Sequence, residues 1–177
     1  ALGGISAQVV THNHEVSSTH DAVHARFGCE LHYHEAERKA ARRKSKCASQ
    51  TFGNAGLRLG DDFEGHFFPG HTYGYAIYRW RARGKYLLFT GDAITPEYDD
   101  AARKGNVVAN GWMLNIDTRF LPHLRPQFDR LETTPIDYIF PSRSPEGQEQ
   151  YHRFARGESR DFVRDFAARF APLPERQ

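Results

Sequence analysis

Three short segments of the sequence carry side chains that are suited to bind a metal ion. His12 and His14 stand in THNH, His71 stands in PGHT, and Asp92 stands in FTGD. Side chains two residues apart in an extended segment project to the same side, so the first two imidazoles can face one point. Neutral imidazoles with a carboxylate suit Zn²⁺, and also Fe or Mn, and three histidines leave a coordination position for water. These residue types predict one transition-metal site, with zinc as the first candidate, that can activate water.

Each segment also has a simpler interpretation. A His-x-His pair is often hydrogen-bonded or on the surface, and Gly-Asp after a strand is usually a turn. The order of the segments favours the metal site, because each one falls at the end of a predicted strand, where functional side chains tend to gather. Glu15 points away from His12 and His14 if the strand alternation continues, so it is not expected among the ligands.

The elements that hold the first histidines alternate between strand and helix. Residues 5–11 are typical of a buried strand, and 17–27 of a helix with Val23 and Phe27 one turn apart. A short alternating strand is predicted over 29–34. The following helix, 35–46, is strongly basic and could touch phosphates. No aromatic residues interleave with its charges, which favours a solvated helix face instead.

The middle of the chain predicts consecutive strands. Their ranges are 57–59, 63–68, 73–81 and 86–89. After them, the fourfold spacing of Trp112, Ile116 and Phe120 predicts a helix that Pro122 breaks.

The last part of the chain adds one strand and one helix. Residues 136–140 predict a short buried strand ended by Pro141. Phe162, Phe166 and Phe170 share one face of a final helix and predict core packing. Strands with helices on the outside indicate a layered α/β domain.

Length and charge limit the classes of protein. The chain has 177 residues, of which 39% are hydrophobic, so residues 1–177 are expected to form a single domain, with C-terminal helices from about 146. The net charge of +2 creates no strong field toward nucleic acid or membrane and says little about partners. A small-molecule substrate is an expectation from the metal site. Cys29 and Cys47 are predicted to be buried free thiols. No apolar run approaches the ~20 residues of a membrane span and no signal peptide opens the chain, which predicts a soluble, cytoplasmic protein.

The order THNH, PGHT, FTGD and a late Pro-Ser-Arg-Ser loop resembles the metallo-β-lactamase superfamily, which includes glyoxalase II and many hydrolases. The resemblance runs from Gly3 to about Phe154. It implies an αββα sandwich in which His12, His14 and His71 hold a first metal and Asp92 is the carboxylate that bridges two metals.

The resemblance is incomplete at the second metal. The family has Asp-His where this chain has Val16 and Ser17, and a late histidine where it has Arg143. The resemblance therefore implies one metal and a degenerate second site. Arg143 cannot be a ligand, but it can pair with Asp92, bind a substrate carboxylate or phosphate, or simply face solvent. His20 stands near enough in sequence to serve as a substitute ligand, or it is an exposed or capping histidine.

The family fold also begins with about fifty residues of hairpin strands before the His-x-His strand, and the sequence has no counterpart to them. A sheet without those strands would expose an edge, which a homodimer could cover.

Two classes of function follow from these features. In the first, the metal polarises an ester, thioester or phosphoester, with His14 and Asp92 required for catalysis. In the second, the site has decayed and the domain is a binding or assembly module. Redox chemistry at iron is a third option, which the missing second-site ligands disfavour. The aromatic residues near the expected mouth could line a substrate pocket or pack a sheet face. They are Tyr73, Tyr75, Tyr98 and Trp112.

Overall fold

The computed structural model describes residues 4–97, 106–144, 146–147 and 149–169. The first sheet consists of β1 (Ala7–Val9), β2 (Glu30–His34) and β3 (Ser49–Phe52), which pair in parallel in that order. The connections contain α1 (Thr19–Phe27) and, after a 3-10 turn at Glu35–Glu37, α2 (Arg38–Lys44). Because the strands are parallel, their carboxyl ends lie along one edge, which is where open α/β sheets usually bind ligands.

The second sheet is larger and mostly antiparallel. Its strands are β4 (Leu57–Leu59), β5 (Phe63–Phe67), β6 (Ala76–Ala82), β7 (Lys85–Gly91), β11 (Tyr138–Pro141) and β12 (His152–Arg153). They lie in the order β12-β11-β7-β6-β5-β4, and the β11-β7 pair is the parallel one. The end of β7, which leads into Asp92, therefore lies beside the end of β11.

A third, small sheet and two helices complete the described part of the chain. The sheet contains β8 (Ile94–Pro96), β9 (Val107–Ala109) and β10 (Trp112–Leu114), in the antiparallel order β8-β10-β9. Helix α3 spans Leu121–Glu132 after a 3-10 turn at Thr118–Phe120, and α4 spans Glu158–Arg169.

Apolar side chains fill three layers. Val10, Leu31, Tyr33 and Ala41 pack between the first sheet and its helices. Phe52, Ala76 and Tyr78, with Val9 and Phe89 against them, fill the space between the first and second sheets. The largest cluster lies between the second sheet and the last two helices and includes Ile77, Leu88, Ile139, Leu124, Phe128, Phe162 and Phe166. The order helix, sheet, sheet, helix confirms the predicted αββα sandwich.

Local sequence signals explain several element ends. Gly28 ends α1 with φ of 70°, a left-handed conformation that glycine adopts without a Cβ penalty. Pro122 occupies the first turn of α3, where a missing N–H leaves no hydrogen bond unmade. The prediction that Pro122 breaks a helix was therefore wrong, and Trp112 belongs to a strand rather than a helix.

Other sequence predictions need correction as well. The helix predicted over 17–27 is present as α1, but it begins at Thr19, buries none of its residues and leaves Phe27 41% exposed. Strand β3 was not predicted, since its SQTF sequence lacks a clear apolar alternation. The first helix after residue 146 begins only at Glu158. Phe162 and Phe166 are buried as expected, while Phe170 and Tyr98 lie outside the described residues.

Within the described ranges, none of the helices combines the length and the apolar character needed to cross a membrane. Cys29 is buried and Cys47 half-buried, and both are free thiols. The proposed homodimer stays a prediction.

Candidate metal centre

Three histidines converge where the carboxyl ends of β1, β5 and β7 meet. One ligand nitrogen from each of His12, His14 and His71 lies within 4.8 Å of the others. The ring centroids are 4.7 Å apart for His12 and His14, 4.8 Å for His12 and His71, and 5.3 Å for His14 and His71. Asp92 faces the group, with Oδ2 3.7 Å from His12 Nε2 and 4.0 Å from His71 Nε2. Ligand atoms that share one zinc, each ~2 Å from it, lie no more than ~4 Å apart, so nitrogens within 4.8 Å are near the spacing that a common metal requires.

The first two histidines lie in a turn rather than in an extended strand. The backbone N–H of Glu15 donates to the carbonyl of His12 at 3.3 Å, and that of Val16 donates to Asn13 at 3.3 Å. The alternation argument for the pair was therefore wrong in its reason, although both rings do reach one point. The Glu15 carboxylate accepts a hydrogen bond from the Thr11 N–H at 2.9 Å, as expected for a residue outside the ligand group.

His12 is the buried member of the group, and its environment suits a ligand. Its side chain is fully buried, and its Nδ1 lies 2.9 Å from the Thr11 hydroxyl. With Nδ1–H donating to that hydroxyl, Nε2 carries the lone pair. Burial, followed by the positive charges of His71 and His14, lowers the pKa of His12 to about 4, so the ring is neutral at pH 7. Its Nε2 is buried without a hydrogen-bond partner among the described residues, as a ligand atom would be without its metal.

Tyr75 links His12 to the loop that carries Asp92. Its ring stacks on His12 with centroids 4.9 Å apart. Its hydroxyl donates to the carbonyl of Thr90 at 2.9 Å and accepts from the N–H groups of Asp92 at 2.6 Å and Ala93 at 3.1 Å. Burial raises the pKa of Tyr75, so the phenol keeps the proton that it donates.

Glu37 links the two histidine loops to each other. Its buried carboxylate accepts from the N–H of Asn13 at 3.0 Å and from the N–H of Gly74 at 3.0 Å, and it also accepts from the Asn13 side chain. Asn13 stands between His12 and His14, and Gly74 follows His71 by three residues. One carboxylate therefore sets the spacing of both loops.

Comparison with known proteins identifies the fold. No family pattern matches the sequence and no curated protein is similar to it in sequence. Solved structures do match. A B3 metallo-β-lactamase with an active-site glutamic acid is 14% identical with a TM-score of 0.60, over 93% of this chain and 67% of that one. A metallo-β-lactamase of Cronobacter sakazakii with a HARLDQ motif is 16% identical with a TM-score of 0.57, over 94% of this chain and 74% of that one. The metallo-β-lactamase SMB-1, bound to 2-mercaptoethanesulfonate, is 17% identical with a TM-score of 0.56, over 93% of this chain and 73% of that one. The chain has the metallo-β-lactamase fold.

The positions that the sequence resemblance assigned to a second metal look different from the histidine group. Val16 is 3% exposed and belongs to the apolar cluster between the first sheet and its helices. Ser17 is exposed, and its hydroxyl accepts from the N–H of Thr19 at 3.3 Å. His20 contacts Gln8 Oε1 at 3.0 Å through Nδ1 and the Glu15 carbonyl at 3.3 Å through Nε2. Its ring nitrogens are thus engaged outside the histidine group, and the substitute-ligand interpretation of His20 gains no support.

Asp92 and Arg143 stand on adjacent loops of this metallo-β-lactamase fold. The Ser142 hydroxyl donates to Asp92 Oδ1, while Oδ2 faces the histidines. The Ser142 N–H donates to the carbonyl of Gly91 at 3.0 Å, which joins the loops after β7 and β11. Arg143 follows directly and is exposed. The structure thus brings the predicted substrate-binding arginine within one residue of the group that contacts Asp92.

Four supporting residues were not assigned these roles from the sequence: Thr11, Glu37, Tyr75 and Ser142. Tyr75 and Ser142 lie close in sequence to the predicted segments, so their neighbourhood was the available signal. Glu37 had none, because nothing local indicates that its side chain turns inward from a basic helical segment.

Proposed function

We propose that this chain is a metal-dependent hydrolase that holds one metal ion between His12, His14 and His71. The observation that best supports the proposal is the convergence of the three imidazoles. The Nε2 of His12 is buried and has no hydrogen-bond partner among the described residues. The structural similarity to metallo-β-lactamases supports the same class of activity. Zinc suits a set of neutral imidazoles best.

A divalent metal in this site supplies Lewis acidity toward a carbonyl or phosphoryl oxygen and toward water. The chain's own groups supply the remaining requirements. Asp92 directs Oδ2 at the histidine group while Ser142 holds its other oxygen, so the free oxygen is placed to accept a proton from water. Thr11 and Tyr75 fix the ring of His12, and His14 is the most exposed of the three histidines. His14 therefore borders the side from which a substrate enters.

We assign a single metal because the second-metal positions offer no ligands. Val16 is a core side chain, and the Ser17 hydroxyl accepts a hydrogen bond from the backbone N–H of Thr19. Arg143 carries a fixed positive charge and no lone pair for coordination. In this proposal Arg143 binds a carboxylate or phosphate of the substrate beside the metal, through two parallel N–H donors.

The substrate is a small ester, thioester or phosphoester. The similar structures are β-lactamases, and SMB-1 binds 2-mercaptoethanesulfonate, so a β-lactam and this thiol belong among the test compounds. The expected chemistry is attack of water on an activated carbonyl or phosphoryl centre.

Replacing one histidine tests the proposal. Protein purified without added metal is expected to contain one transition-metal ion per chain. His71→Ala is expected to bind it much more weakly, because one of the three converging imidazoles is gone. The matched control is His20→Ala, whose ring lies outside the group and should keep the metal. Metal content is measured by plasma emission spectrometry, and turnover with nitrophenyl esters, thioesters, phosphodiesters and a β-lactam.

Two outcomes would count against the proposal. Protein that stays metal-free after zinc is added has no such centre. Protein that binds one zinc but turns over no compound of the panel would be a binding or assembly module of the same fold. A core residue at the second-metal position of Val16 is also compatible with such a module.

A further inference from the structure

A groove of about 390 Å³ opens at one edge of the first sheet. We call it the Tyr73 groove, and its lining is His34, Glu35, Ala36, Arg38, Asn54 and Tyr73. It lies at the carboxyl ends of β2 and β3, while His12 and His14 follow the carboxyl end of the neighbouring β1. Glu37, which follows the lining residue Ala36, accepts a hydrogen bond from the N–H of Asn13 at 3.0 Å, and Asn13 stands between His12 and His14. The groove therefore lies close to the loop that carries these two histidines. Tyr73 also follows His71 by two residues, which keeps their Cα atoms within about 7 Å.

The wall of the groove is held in place. Tyr73 contacts three rings edge-on, with centroid distances of 5.7 Å to Phe67, 5.6 Å to Phe120 and 5.6 Å to His123. The next residue, Gly74, is tied to Glu37, which belongs to the segment that forms the opposite wall. Pre-formed sites of this kind lose little entropy when a ligand binds.

The exposed groups of the groove are an aromatic ring and hydrogen-bond donors. Tyr73 is 40% exposed, which is unusual for a side chain that contacts three rings. The exposed guanidinium of Arg38 uses Nη2 to donate to the Thr51 hydroxyl at 2.5 Å, so most of its five N–H groups remain for a ligand.

The remaining lining residues favour the same ligand. Asn54 Oδ1 accepts from His34 Nε2 at 2.9 Å, which leaves the amide N–H₂ of Asn54 as a donor. Glu35 is the groove's one carboxylate among the lining residues, and its Oε1 is turned toward Gly53 in the turn after β3. Arg38 therefore supplies the positive charge of the groove, and Asn54 adds neutral N–H donors.

We propose that the Tyr73 groove binds an aromatic carboxylate portion of the substrate, with the planar ring against Tyr73 and the carboxylate on Arg38. This deepens the proposed function, on which its catalytic meaning rests: the bond to be hydrolysed lies at the histidine group, and the aromatic acid lies along the same edge of the first sheet. Arg38 and Tyr73 then determine specificity without touching the metal.

The first test measures binding without metal or turnover. Benzoate is titrated into metal-free protein, and backbone amide shifts are followed by NMR. Saturable shifts are expected at Ala36, Asn54 and Tyr73. Arg38→Gln should raise the Kd at least about tenfold, as a charge-assisted contact is lost. Tyr73→Ala should raise it about three- to tenfold, while Tyr73→Phe should not, because the ring rather than the hydroxyl makes the contact.

Matched controls separate this site from general attraction of anions. Arg43→Gln removes the same charge from the same helix, and Trp80→Ala removes an aromatic side chain of similar exposure, 41%, from the second sheet. Neither should change the Kd. Cyclohexanecarboxylate keeps the charge but lacks the flat ring, and should bind more weakly than benzoate.

The outcomes distinguish the groove from the hydrolase proposal. Benzoate shifts confined to His12, His14 and His71, or a Kd that neither Arg38→Gln nor Tyr73→Ala changes, would overturn the groove assignment even if the zinc-loaded protein hydrolyses esters. If esters are hydrolysed, the two variants should raise KM for a carboxylated aryl ester and leave KM for an acetyl ester unchanged. Groove binding in a protein that hydrolyses nothing would uphold the groove and refute the hydrolase.

Discussion

The histidine group and the positions that the sequence resemblance assigned to a second metal are embedded differently in the fold. Each part of the histidine group is tied to a buried supporting side chain: Thr11 and Tyr75 hold His12, and Glu37 ties both loops. The second-metal positions are occupied by a core valine, an exposed serine and an exposed arginine. The two sets of positions therefore differ in their surroundings. Buried side chains hold the histidine loops in place, whereas Val16, Ser17 and Arg143 have ordinary core and surface positions.

The largest effect is expected from a variant that introduces the family's second-site residues at these positions. Val16→Asp, combined with Ser17→His and Arg143→His, is expected to bury a carboxylate in the cluster of Val10, Leu31 and Tyr33 rather than create a second centre. The free energy of unfolding should fall by about 2–7 kcal/mol, the cost of an uncompensated buried polar group. Urea unfolding and metal analysis check this.

The control for this variant is Ser17→His alone, which changes an exposed side chain and should leave stability within about 0.5 kcal/mol of the parent. A triple variant that binds two zinc ions at undiminished stability would show that the loop rearranges and that the second-metal positions are still competent.

Removing a support from the histidine group should have the next largest effect. The backbone N–H groups of Asn13 and Gly74 donate to the two oxygens of the Glu37 carboxylate. In Glu37→Gln, an amide N–H₂ replaces one of these oxygens, so one of the two N–H groups loses its acceptor. Metal affinity should fall about 10- to 100-fold, as is usual when an outer-shell partner is lost. Competition with a chelator measures the affinity, and the absorption spectrum of the cobalt form reports the ligand geometry.

Glu64→Gln is the matched control, because Glu64 is a half-buried carboxylate paired with Arg79, far along β5 from the histidines. It should lower stability and leave metal affinity and the cobalt spectrum unchanged. Equal effects of the two variants on metal affinity would mean that Glu37 contributes only to general stability.

The smallest expected effect is the pH dependence of the metal-free protein. The folded pKa of His12, about 4, lies below its value of 6.5 in the unfolded chain, so the unfolded state binds more protons between these pH values. The contribution of neutral His12 to stability is therefore complete above pH 6.5 and is lost as the pH falls toward 4. Urea midpoints measured across this range should decline for the parent and decline less for His12→Gln.

His66 needs a separate control in that experiment, because burial, followed by the charge of Arg130, also lowers its pKa. His66→Gln removes that part of the slope. If His12→Gln and the parent decline equally, the protons that destabilise the protein bind elsewhere.

The sequence predicted those features that depend on local order. Strand ends placed the imidazoles of His12, His14 and His71 together, and the αββα layers followed from the alternation of strands and helices. It failed where long-range contacts decide the outcome. Trp112 has helical spacing but pairs with Pro96 and Ala109 as a strand, because the neighbouring strands supply its hydrogen bonds.

The supports were the hardest part of the site to predict. Glu37 lies in a basic helical segment, and its inward turn depends on Gly74, 37 residues away. A Cβ at position 74 would collide with the Glu37 side chain, so this contact requires glycine there. Such pairs carry no local periodicity and become visible only when both loops are in place.

The contacts of Tyr75 have a consequence for anyone who would copy this site into another scaffold. A Cβ at position 91 would collide with the Tyr75 hydroxyl and the Thr11 side chain, and Gly91 has φ of 54°. The tyrosine, the glycine and the threonine therefore form one unit with His12 and Asp92. A graft that transfers only the histidines and the aspartate would place the ligand residues on loops whose conformation nothing fixes. A graft that also includes positions 11, 75 and 91 would bring the contacts that hold His12 and Asp92 in place.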